Sequence, residues 1–408
     1  MTHTSSPRTL PRSQGQIAPI ALFGVLIASA VLVLMFNNGQ RVTEKSLVAN
    51  AADAAAYSGA VWTARHLNFM AYTNRAMIAN HVAVGHFVSY VSWIRYINDS
   101  IDFIDRIAQW IPYVGEYVDY VQEVAQYVRD ITDDYAAYAV PAMDAWNATF
   151  RAAQMEAQAS LAVDHLSDLM QQTARTYDPD IRINDRGEMS RMPSEVQSVL
   201  EAQVFAQLAN VPAFVQRYYA GEDRNSIREL IDASLHVNND MQRWAVGERG
   251  WRETLLSGQI RKRGSTTNSQ TRSGADWNAK DDLQTRTRSL FGWHSWRRVG
   301  DDESKASATE FDSDYAGVPS YYNVAGNPSD RSLRIVALAT KRQANVMTAN
   351  LLGMVPLNQP LAAAATAAIE FHRASGGLFD ALASNSHEYA SLFNPFWDAH
   401  LVANSFSR

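Results

Sequence analysis

The sequence predicts a mainly α-helical protein in which an N-terminal transmembrane helix continues into a long helix and an extracytoplasmic helical domain. Residues 17–36 form a long, almost wholly apolar run without a charged residue. Residues 42–111 contain no proline and only two glycines, which is typical of one long helix. Residues 261–330 are dense in Ser, Thr, Arg, Asp, Asn and Gly, which predicts an irregular insertion with minor β structure.

The first element is the apolar run Ile17–Phe36, which has the length of a bilayer span. Twenty helical residues at about 1.5 Å each cover roughly 30 Å, the thickness of the hydrocarbon core. The preceding residues 1–16 include Arg8 and Arg12 and no acidic residue. The positive-inside rule keeps this tail in the cytoplasm and exports everything after Asn37. We expect a single-pass protein of the bacterial inner membrane that contacts the lipid bilayer through Ile17–Phe36.

A cleavable signal peptide is the alternative interpretation of this run. Ala28, Ser29 and Ala30 have the small-x-small pattern of a cleavage site. The apolar run continues from Val31 to Phe36, however, so cleavage at that point would cut inside the hydrophobic stretch. The pattern therefore favours a retained anchor.

Residues 37–260 are predicted to form a helical region, and the first part of this region is rich in small residues. Small side chains three or four positions apart let two helices approach closely, in a membrane or just above it. The high helix propensity of alanine explains the same composition without a partner, and both interpretations remain open. The candidate positions for packing against a partner helix are Ala51, Ala52, Asp53, Ala55, Ala56 and Gly59.

The predicted insertion 261–330 has charges that are divided by sign. Basic residues predominate from Arg261 to Arg298, and acidic residues predominate from Asp301 to Asp314. This division suits the docking of a partner or a cell-wall polymer, whereas a solvated loop explains it more simply.

Residues 331–408 are predicted to pack on the body as a segment with a strand and a helix. Arg334–Ala339 has a strand pattern, and Pro360 begins an alanine-rich helix that continues to Phe371. The aromatic end of the chain is unusual for a free tail, so we expect it to dock onto the body. An Asn-Pro turn between aromatic residues is either an internal latch or a partner-docking site. Its residues are Phe393, Asn394, Pro395, Phe396 and Trp397.

The segment from Gly15 to Ala60 resembles the N-terminal region of the TadE/TadG-like proteins of Flp-type (tight-adherence) pili. The matching pieces are Gly15-Gln16, the apolar run, Arg41 and the alanine-rich run Asn50–Ala56. The C-terminal run Leu392–Trp397 is similar to an ending found in long TadG-related proteins. The resemblance implies a membrane-anchored, non-enzymatic component of pilus assembly or of a related secretion system.

Two departures from the family pattern limit what the resemblance implies. The metal site of a von Willebrand A domain needs Asp-x-Ser-x-Ser, and the nearest string, Asp232–His236, ends in histidine. We therefore predict no such metal site. Prepilin-peptidase sites carry an acidic residue five positions after the cleaved glycine, and that position after Gly15 is Ile20. This difference argues against processing at Gly15.

The composition and the spacing of chemical groups exclude several kinds of site. A net charge of -6 argues against nucleic acid as a partner, and the absence of cysteine excludes disulfides and thiolate chemistry. His81 and His86 are five residues apart and lie on different helix faces, unlike the histidines of a metalloprotease helix. The sequence therefore predicts no catalytic residue, no metal site and no cofactor.

Together these features predict a protein that is not an enzyme and acts through helix packing and partner docking. The expected partners are the membrane proteins of a pilus or secretion machine, the lipid bilayer and, as a further candidate, a second copy of the chain. The alternative is an anchored envelope enzyme or cell-wall polymer-binding protein that uses the polar region from Trp277 to Tyr322.

Overall fold

The computed structural model shows that the predicted fold class is wrong. Of the described residues, 62% are helical and 24% lie in strands of two antiparallel sheets. This sheet content is too large for a mainly α protein with a minor β insertion, so the fold combines long helices with antiparallel sheets. The described residues are 17–108, 115–217, 249–254, 258–271, 274–289, 292–299, 303–318, 332–346, 360–371 and 390–404.

The predicted long N-terminal helix is confirmed. Helix α1 (Ile17–Ala108) has 92 residues, which makes it about 140 Å long at 1.5 Å per residue. Pro19 lies in its first turn, where the missing N–H group is tolerated, and no later proline interrupts the helix. The apolar run and the residues that follow it therefore belong to one continuous element.

Helix α2 (Gly115–Ala159) lies antiparallel to α1. Asn80 of α1 donates a hydrogen bond from Nδ2 to Oδ1 of Asn147 at 3.0 Å, and Arg95 pairs with Asp133 at 3.1 Å. Residue numbers rise along α1 while those of the α2 partners fall, which sets the antiparallel direction. The two helices therefore pack along most of the length of α2.

The described residues also form four shorter α-helices and one 3-10 helix (Gln343–Asn345). The four α-helices are α3 (Val163–Arg175), α4 (Arg186–Met189), α5 (Ser194–Arg217) and α6 (Ala308–Phe311). Asp185 caps α4, because its side chain accepts a hydrogen bond from the N–H group of Glu188 at 3.0 Å. α3 packs against α1 through buried Leu166, Met170 and Ala174.

The described residues also form ten strands in two sheets. In chain order the strands are β1 (Arg182–Ile183), β2 (Trp251–Thr254), β3 (Gly258–Thr271), β4 (Gly274–Ser289), β5 (Gly292–Trp293), β6 (Arg297–Arg298), β7 (Ser304–Ser307), β8 (Ser332–Lys341), β9 (Leu361–Phe371) and β10 (Trp397–Val402). The proximal sheet has the order β1-β8-β9-β10 and packs on the part of α1 nearer the N-terminus. The distal sheet consists of β2, β3 and β4, with β5, β6 and β7 each paired to β4.

The alanine-rich segment predicted as a helix from Pro360 to Phe371 is a strand, so that prediction is wrong. β9 is paired with β8 on one side and with β10 on the other. Helix propensities of ordinary residues differ by at most about 0.7 kcal/mol per residue, so two ladders of hydrogen bonds override the preference of alanine. The small side chains also suit this position, because α1 packs against β9.

The predicted irregular insertion 261–330 contains the two longest strands among the described residues, so that prediction is also wrong. β3 and β4 form an antiparallel hairpin with a continuous register over both strands. Lys262 of β3 and Asp281 of β4 are buried, whereas Arg261 and Arg263, on either side of Lys262, are more exposed. This alternation is the period of a strand, so the charges belong to a two-sided sheet rather than to a solvated loop.

Two other segments bear on the predicted boundaries. Arg334–Ala339, which has the predicted strand pattern, lies inside β8. Residues 251–254 and 258–260, which belong to the predicted helical region 37–260, form β2 and the start of β3. Among the described residues, only the one-turn helix α6 and a short 3-10 helix therefore follow α5.

α1 is the element against which the other parts pack. It contacts α2, α3, three strands of the proximal sheet and three strands of the distal sheet. One cluster of buried residues follows it from Val48 to Val91 and includes Val140 of α2, Trp277 of β4 and Ala367 of β9. Both sheets are therefore fixed to the helix that carries the apolar N-terminal run.

Gly85 provides a test of the close packing between α1 and the distal sheet. A Cβ atom at this position would lie 2.8 to 2.9 Å from ring atoms of Trp277, which is fully buried. We expect Gly85→Ala to lower the free energy of unfolding by about 1–3 kcal/mol, because a buried indole has to shift. The melting temperature of the detergent-solubilised protein measures this effect.

The matched control for this variant is Gly39→Ala on the same helix. No atom lies within 4 Å of a Cβ atom at Gly39, and replacing a helical glycine with alanine stabilises a helix by up to about 1 kcal/mol. We therefore expect an unchanged or higher melting temperature for the control. Equal melting temperatures for the two variants would contradict the packing described for Gly85.

Candidate functional site

One helical segment among the described residues is long and apolar enough to cross a membrane, and it is the start of α1. The large side chains of this segment are uncovered, with Leu22, Leu26 and Leu32 exposed to 65%, 59% and 66%. A core helix of a soluble protein would bury such side chains. By its length and composition the segment could cross a membrane, and the described residues leave it uncovered.

The predicted helix-packing positions lie on a face of α1 that the chain itself covers. The four predicted alanines, Ala51, Ala52, Ala55 and Ala56, are all fully buried. A Cβ atom on Gly59 would lie 3.2 Å from Sδ of Met170 in α3 and 3.4 Å from Cγ2 of Ile335 in β8. Asp53 is exposed on the opposite side. The small residues thus allow α1 to approach α3 and the proximal sheet closely.

The C-terminal aromatic segment is held to α1 by two asparagine side chains. Asn68 donates from Nδ2 to the carbonyl oxygen of Trp397 at 2.8 Å, and the N–H group of Trp397 donates to Oδ1 of Asn68 at 3.0 Å. Asn74 donates from Nδ2 to the carbonyl oxygen of Leu392 at 2.7 Å. These side chains satisfy backbone groups of a segment that has to leave water in order to dock.

The side chains of this C-terminal segment differ in burial. Trp397 is nearly buried and packs edge-on against Phe214 of α5 and Phe371 of β9, each at 5.3 Å between ring centres. Phe393 is 4% exposed. Phe396 lies 6.1 Å from Phe371, Asn394 accepts a hydrogen bond from Arg75 at 2.5 Å, and Pro395 is half-buried. The segment contributes to the core of the proximal sheet.

The distal sheet contains an ionic cluster that sequence patterns did not indicate. Arg249 Nη2 lies 2.6 Å from Asp281 Oδ2, and Lys262 Nζ lies 2.5 Å from Asp281 Oδ1. Ser92 of α1 donates to Asp281 Oδ2 at 2.8 Å. The three charged side chains are 3% exposed or less, and burial lowers the pKa of Lys262 while Asp281 opposes that change. A buried carboxylate that holds two cations positions α1 on the sheet.

His81 is fully buried between α1 and the distal sheet. Its Nδ1 atom lies 2.6 Å from the hydroxyl of Tyr315, and its Nε2 atom lies 3.3 Å from Oδ1 of Asn268. Burial lowers the pKa of His81 to about 4, against the opposing hydrogen bond with Asn268. The side chain is therefore neutral at pH 7. Within the described ranges, no group of three or more His, Asp or Glu residues is arranged to hold a metal ion.

One surface of the distal sheet interleaves arginine with tryptophan, and we call it the Arg–Trp face. Its members are Arg252, Arg261, Arg286, Trp293 and Trp296. The guanidinium carbons of Arg261 and Arg286 lie 4.0 Å and 4.6 Å from the ring centre of Trp296. Arg286 also lies 4.8 Å from the ring centre of Trp293. Cation–π contacts of this kind orient arginine without removing its charge.

α2 presents an exposed apolar row that we call the α2 stripe. Its members are Tyr127, Ile131, Tyr135, Tyr138 and Trp146, which are exposed to 67%, 49%, 61%, 81% and 59%. They recur every three or four residues, apart from one longer interval, and therefore lie on one face of the helix. An uncovered aromatic row of this length is typical of a surface that another protein covers.

Sequence patterns therefore indicated two groups of residues that pack on the proximal sheet, but they did not indicate the polar groups of the distal sheet. The small residues of α1 and the C-terminal aromatic segment both pack on the proximal sheet. The Arg–Trp face and the ionic cluster were missed because their charges were interpreted as loop residues. In the structure, Lys262 is buried while its neighbours Arg261 and Arg263 are half-buried and exposed, and no residue type in this basic run marks that difference.

The stability of the folded protein depends on pH through His81. Its pKa is about 4 in the folded protein and about 6.5 in the unfolded chain, so the unfolded chain binds the proton first as the pH falls. The stabilisation is complete above pH 6.5 and is lost as the pH falls towards 4, at up to about 1.4 kcal/mol per pH unit. Melting temperatures between pH 7 and pH 4 measure this loss.

The variant that isolates this effect is His81→Gln, which removes the titrating ring and keeps an amide that hydrogen-bonds. We expect its melting temperature to fall less steeply with decreasing pH than that of the unmodified protein. His165→Gln, at an exposed histidine of α3, is the control and should leave the profile unchanged. Identical profiles for the His81 variant and the unmodified protein would contradict a buried neutral imidazole.

Buried titratable side chains such as Asp281 and His81 make their contacts with other residues of the same chain. The α2 stripe, by contrast, is exposed, and the Arg–Trp face is exposed at Arg252 and Trp293 and half-buried at its other members. The two surfaces present different chemistry, one apolar and one cationic. Comparison with protein-family models, curated proteins and solved structures finds no match to this chain.

Proposed function

We propose that this chain is a membrane-anchored, non-enzymatic component of Flp-type (Tad) pilus assembly or of a related secretion system. The observation that carries the proposal is the continuity of α1, which joins the exposed apolar run to the core of both sheets. A continuous helix transmits position and force from a membrane to a folded body. The resemblance of Gly15–Ala60 to TadE/TadG-like proteins supports the same role.

The proposed location is the bacterial inner membrane, which α1 crosses once. Arg8 and Arg12 precede the apolar run, and no acidic residue accompanies them, so the N-terminus lies in the cytoplasm. The sheets and α2 then lie outside the cytoplasm. The absence of cysteine suits an oxidising compartment, where a free thiol is easily oxidised.

The α2 stripe is the surface that best suits a protein partner. The alanine face of α1, from Ala51 to Gly59, is covered by the proximal sheet and α3, so a partner helix does not reach it in this fold. The α2 stripe spans the twenty residues from Tyr127 to Trp146, or roughly 30 Å of helix. A straight apolar row of this length matches the apolar face of another helix. The proposed occupant is a helical membrane protein of the same machine.

The topology can be tested because the chain has no cysteine of its own. Thr43→Cys introduces one thiol at an exposed position just after the apolar run, and Ser6→Cys introduces one thiol before it. In intact spheroplasts, a membrane-impermeant maleimide should label Thr43→Cys and leave Ser6→Cys unlabelled.

After lysis of the spheroplasts, both variants should be labelled to a similar extent, which is the control for thiol reactivity. Labelling of Ser6→Cys in intact spheroplasts would contradict the proposed orientation. Release of the Thr43→Cys protein into the soluble fraction would contradict the retained anchor.

Partner binding by the α2 stripe is tested with Tyr135→Ser combined with Tyr138→Ser. Both side chains are more than half exposed, so their loss should leave the fold unchanged. Each tyrosine at the centre of an interface contributes on the order of 1–2 kcal/mol, so binding should fall at least about tenfold. The measurement is co-purification of pilus or secretion proteins after cross-linking and extraction in detergent.

The matched control is Tyr57→Ser combined with Tyr72→Ser, which removes two exposed tyrosines from α1 instead. This control should co-purify the same proteins as the unmodified chain. Capture of a second copy of the chain alone would identify the stripe as a homo-oligomer interface. Failure to capture any machine component, together with normal piliation after deletion of the gene, would overturn the proposed function.

A further inference from the structure

The arginines of the Arg–Trp face concentrate positive charge on one side of the distal sheet. Within the described residues, the neighbouring carboxylate of Asp282 lies 3.7 Å from Arg298, which is not one of these arginines. Desolvation, followed by the positive charges of Arg263 and Arg252, lowers the pKa of Arg261. Since the chain as a whole carries a net charge of -6, this accumulation of positive charge is local.

Two of these arginines are held in place by neutral partners. Arg261 donates from Nε and Nη2 to Oε1 of Gln284, at 2.8 Å and 2.6 Å, and Arg286 donates in the same way to Gln259, at 2.8 Å and 2.5 Å. Each arginine and its glutamine are direct cross-strand neighbours in the register of β3 and β4. The glutamine fixes one edge of each guanidinium. Because glutamine is neutral, the positive charge of the arginine is not compensated by it and can attract an anion.

The indole rings restrict which ligand can use the face. Trp296 has the guanidinium carbons of three arginines within 5.5 Å of its ring centre, namely those of Arg252, Arg261 and Arg286. The Trp296 ring therefore serves as a support for arginine rather than as a free surface for a nucleic-acid base. Proteins that bind single strands use such free aromatic surfaces to stack bases.

A polar cleft of about 520 Å³ continues from the Arg–Trp face. Arg261 and Gln284 belong to both, and the cleft adds Arg263, Asp282 and Glu303. None of the described residues that line the cleft has an apolar side chain. Protein interfaces are built around buried apolar anchors, so this cleft is poorly suited to a protein partner. Its mixture of donors and acceptors suits a ligand rich in hydroxyl groups.

The distance from the apolar run excludes the lipids of the anchoring bilayer as the ligand. The distal sheet is attached to α1 at Ser92, which donates a hydrogen bond to Asp281 of β4. Ser92 follows Phe36 by 56 residues, or roughly 80 Å along the helix axis. The exclusion of bilayer lipids is the only part of the inference that depends on the proposed membrane anchor.

We propose that the Arg–Trp face and its cleft bind an anionic polysaccharide. The guanidinium groups of Arg261 and Arg286 hold the carboxylate or phosphate groups of the polymer, and the polar cleft holds the hydroxyl groups of the neighbouring sugar. Arginine is the side chain that binds both anions in a two-pronged geometry. The site is separate from the α2 stripe, so polymer binding and partner binding are independent activities of one chain.

The test uses the full chain in detergent with immobilised polygalacturonate and phosphorylated dextran, which differ in the anion they carry. Unmodified dextran is the neutral reference. We expect the unmodified chain to bind at least one anionic polymer and not the neutral one. Arg261→Gln combined with Arg286→Gln should weaken this binding at least about tenfold, with an unchanged melting temperature.

Two further variants separate a built site from general charge attraction. Arg175→Gln combined with Arg182→Gln removes the same charge from exposed positions away from the face and should change binding less than about threefold. Arg261→Lys combined with Arg286→Lys keeps the charge but loses the fork geometry, and it should bind more weakly than the unmodified chain. Equal loss in the Arg261/Arg286 and Arg175/Arg182 glutamine variants would overturn the proposal.

Competition identifies any other class of ligand. Stronger binding to single-stranded DNA or to polyglutamate than to both anionic polysaccharides would also overturn the proposal. The α2 stripe variant, Tyr135→Ser with Tyr138→Ser, should bind the polysaccharide normally. The Arg261/Arg286 variant should co-purify machine components normally, so the failure of either proposed activity can be recognised separately.

Discussion

The close contact between α1 and the proximal sheet is the constraint on which the rest of the structure depends. Both surfaces of this contact are made of small residues, since Ala52 and Ala56 of α1 and Ala365 and Ala367 of β9 are at most 3% exposed. Larger side chains would separate helix from sheet and leave voids between them. Because the same helix carries the apolar N-terminal run, this contact also fixes the sheet relative to that run.

Farther along α1, polar contacts accompany the apolar ones. Ser89 bonds to Thr266 at 2.8 Å, and Ser92 bonds to Asp281 at the same distance. Apolar burial has no direction, whereas hydrogen bonds require particular atoms to meet. Lys341, which reaches Glu44 and Asp178 at 2.7 Å each, has a similar role beside the proximal sheet. Small apolar residues therefore allow α1 and the proximal sheet to approach closely, and the polar contacts define the position of each sheet along α1.

The sequence was sufficient to predict α1 but not the sheets, and the reasons are physical. α1 is specified locally, because residues 41–108 contain no proline and only two glycines, Gly59 and Gly85. β9 is specified by its neighbours, because an alanine-rich run becomes a strand only when β8 and β10 supply hydrogen bonds. Lys262 looks like a surface residue until its partner Asp281, nineteen positions away, is brought beside it. Such pairings are not visible in a single sequence.

The way α1 is covered decides where binding can take place. Beyond the apolar run, α2 and the two sheets cover the buried faces of α1, and the α2 stripe and the Arg–Trp face lie on elements packed on it. The α2 stripe is apolar and follows the helix axis, whereas the Arg–Trp face is cationic and lies on a sheet. Their different chemistry suits different ligands. Because both surfaces belong to elements packed on one continuous helix, α1 sets their positions relative to its apolar end.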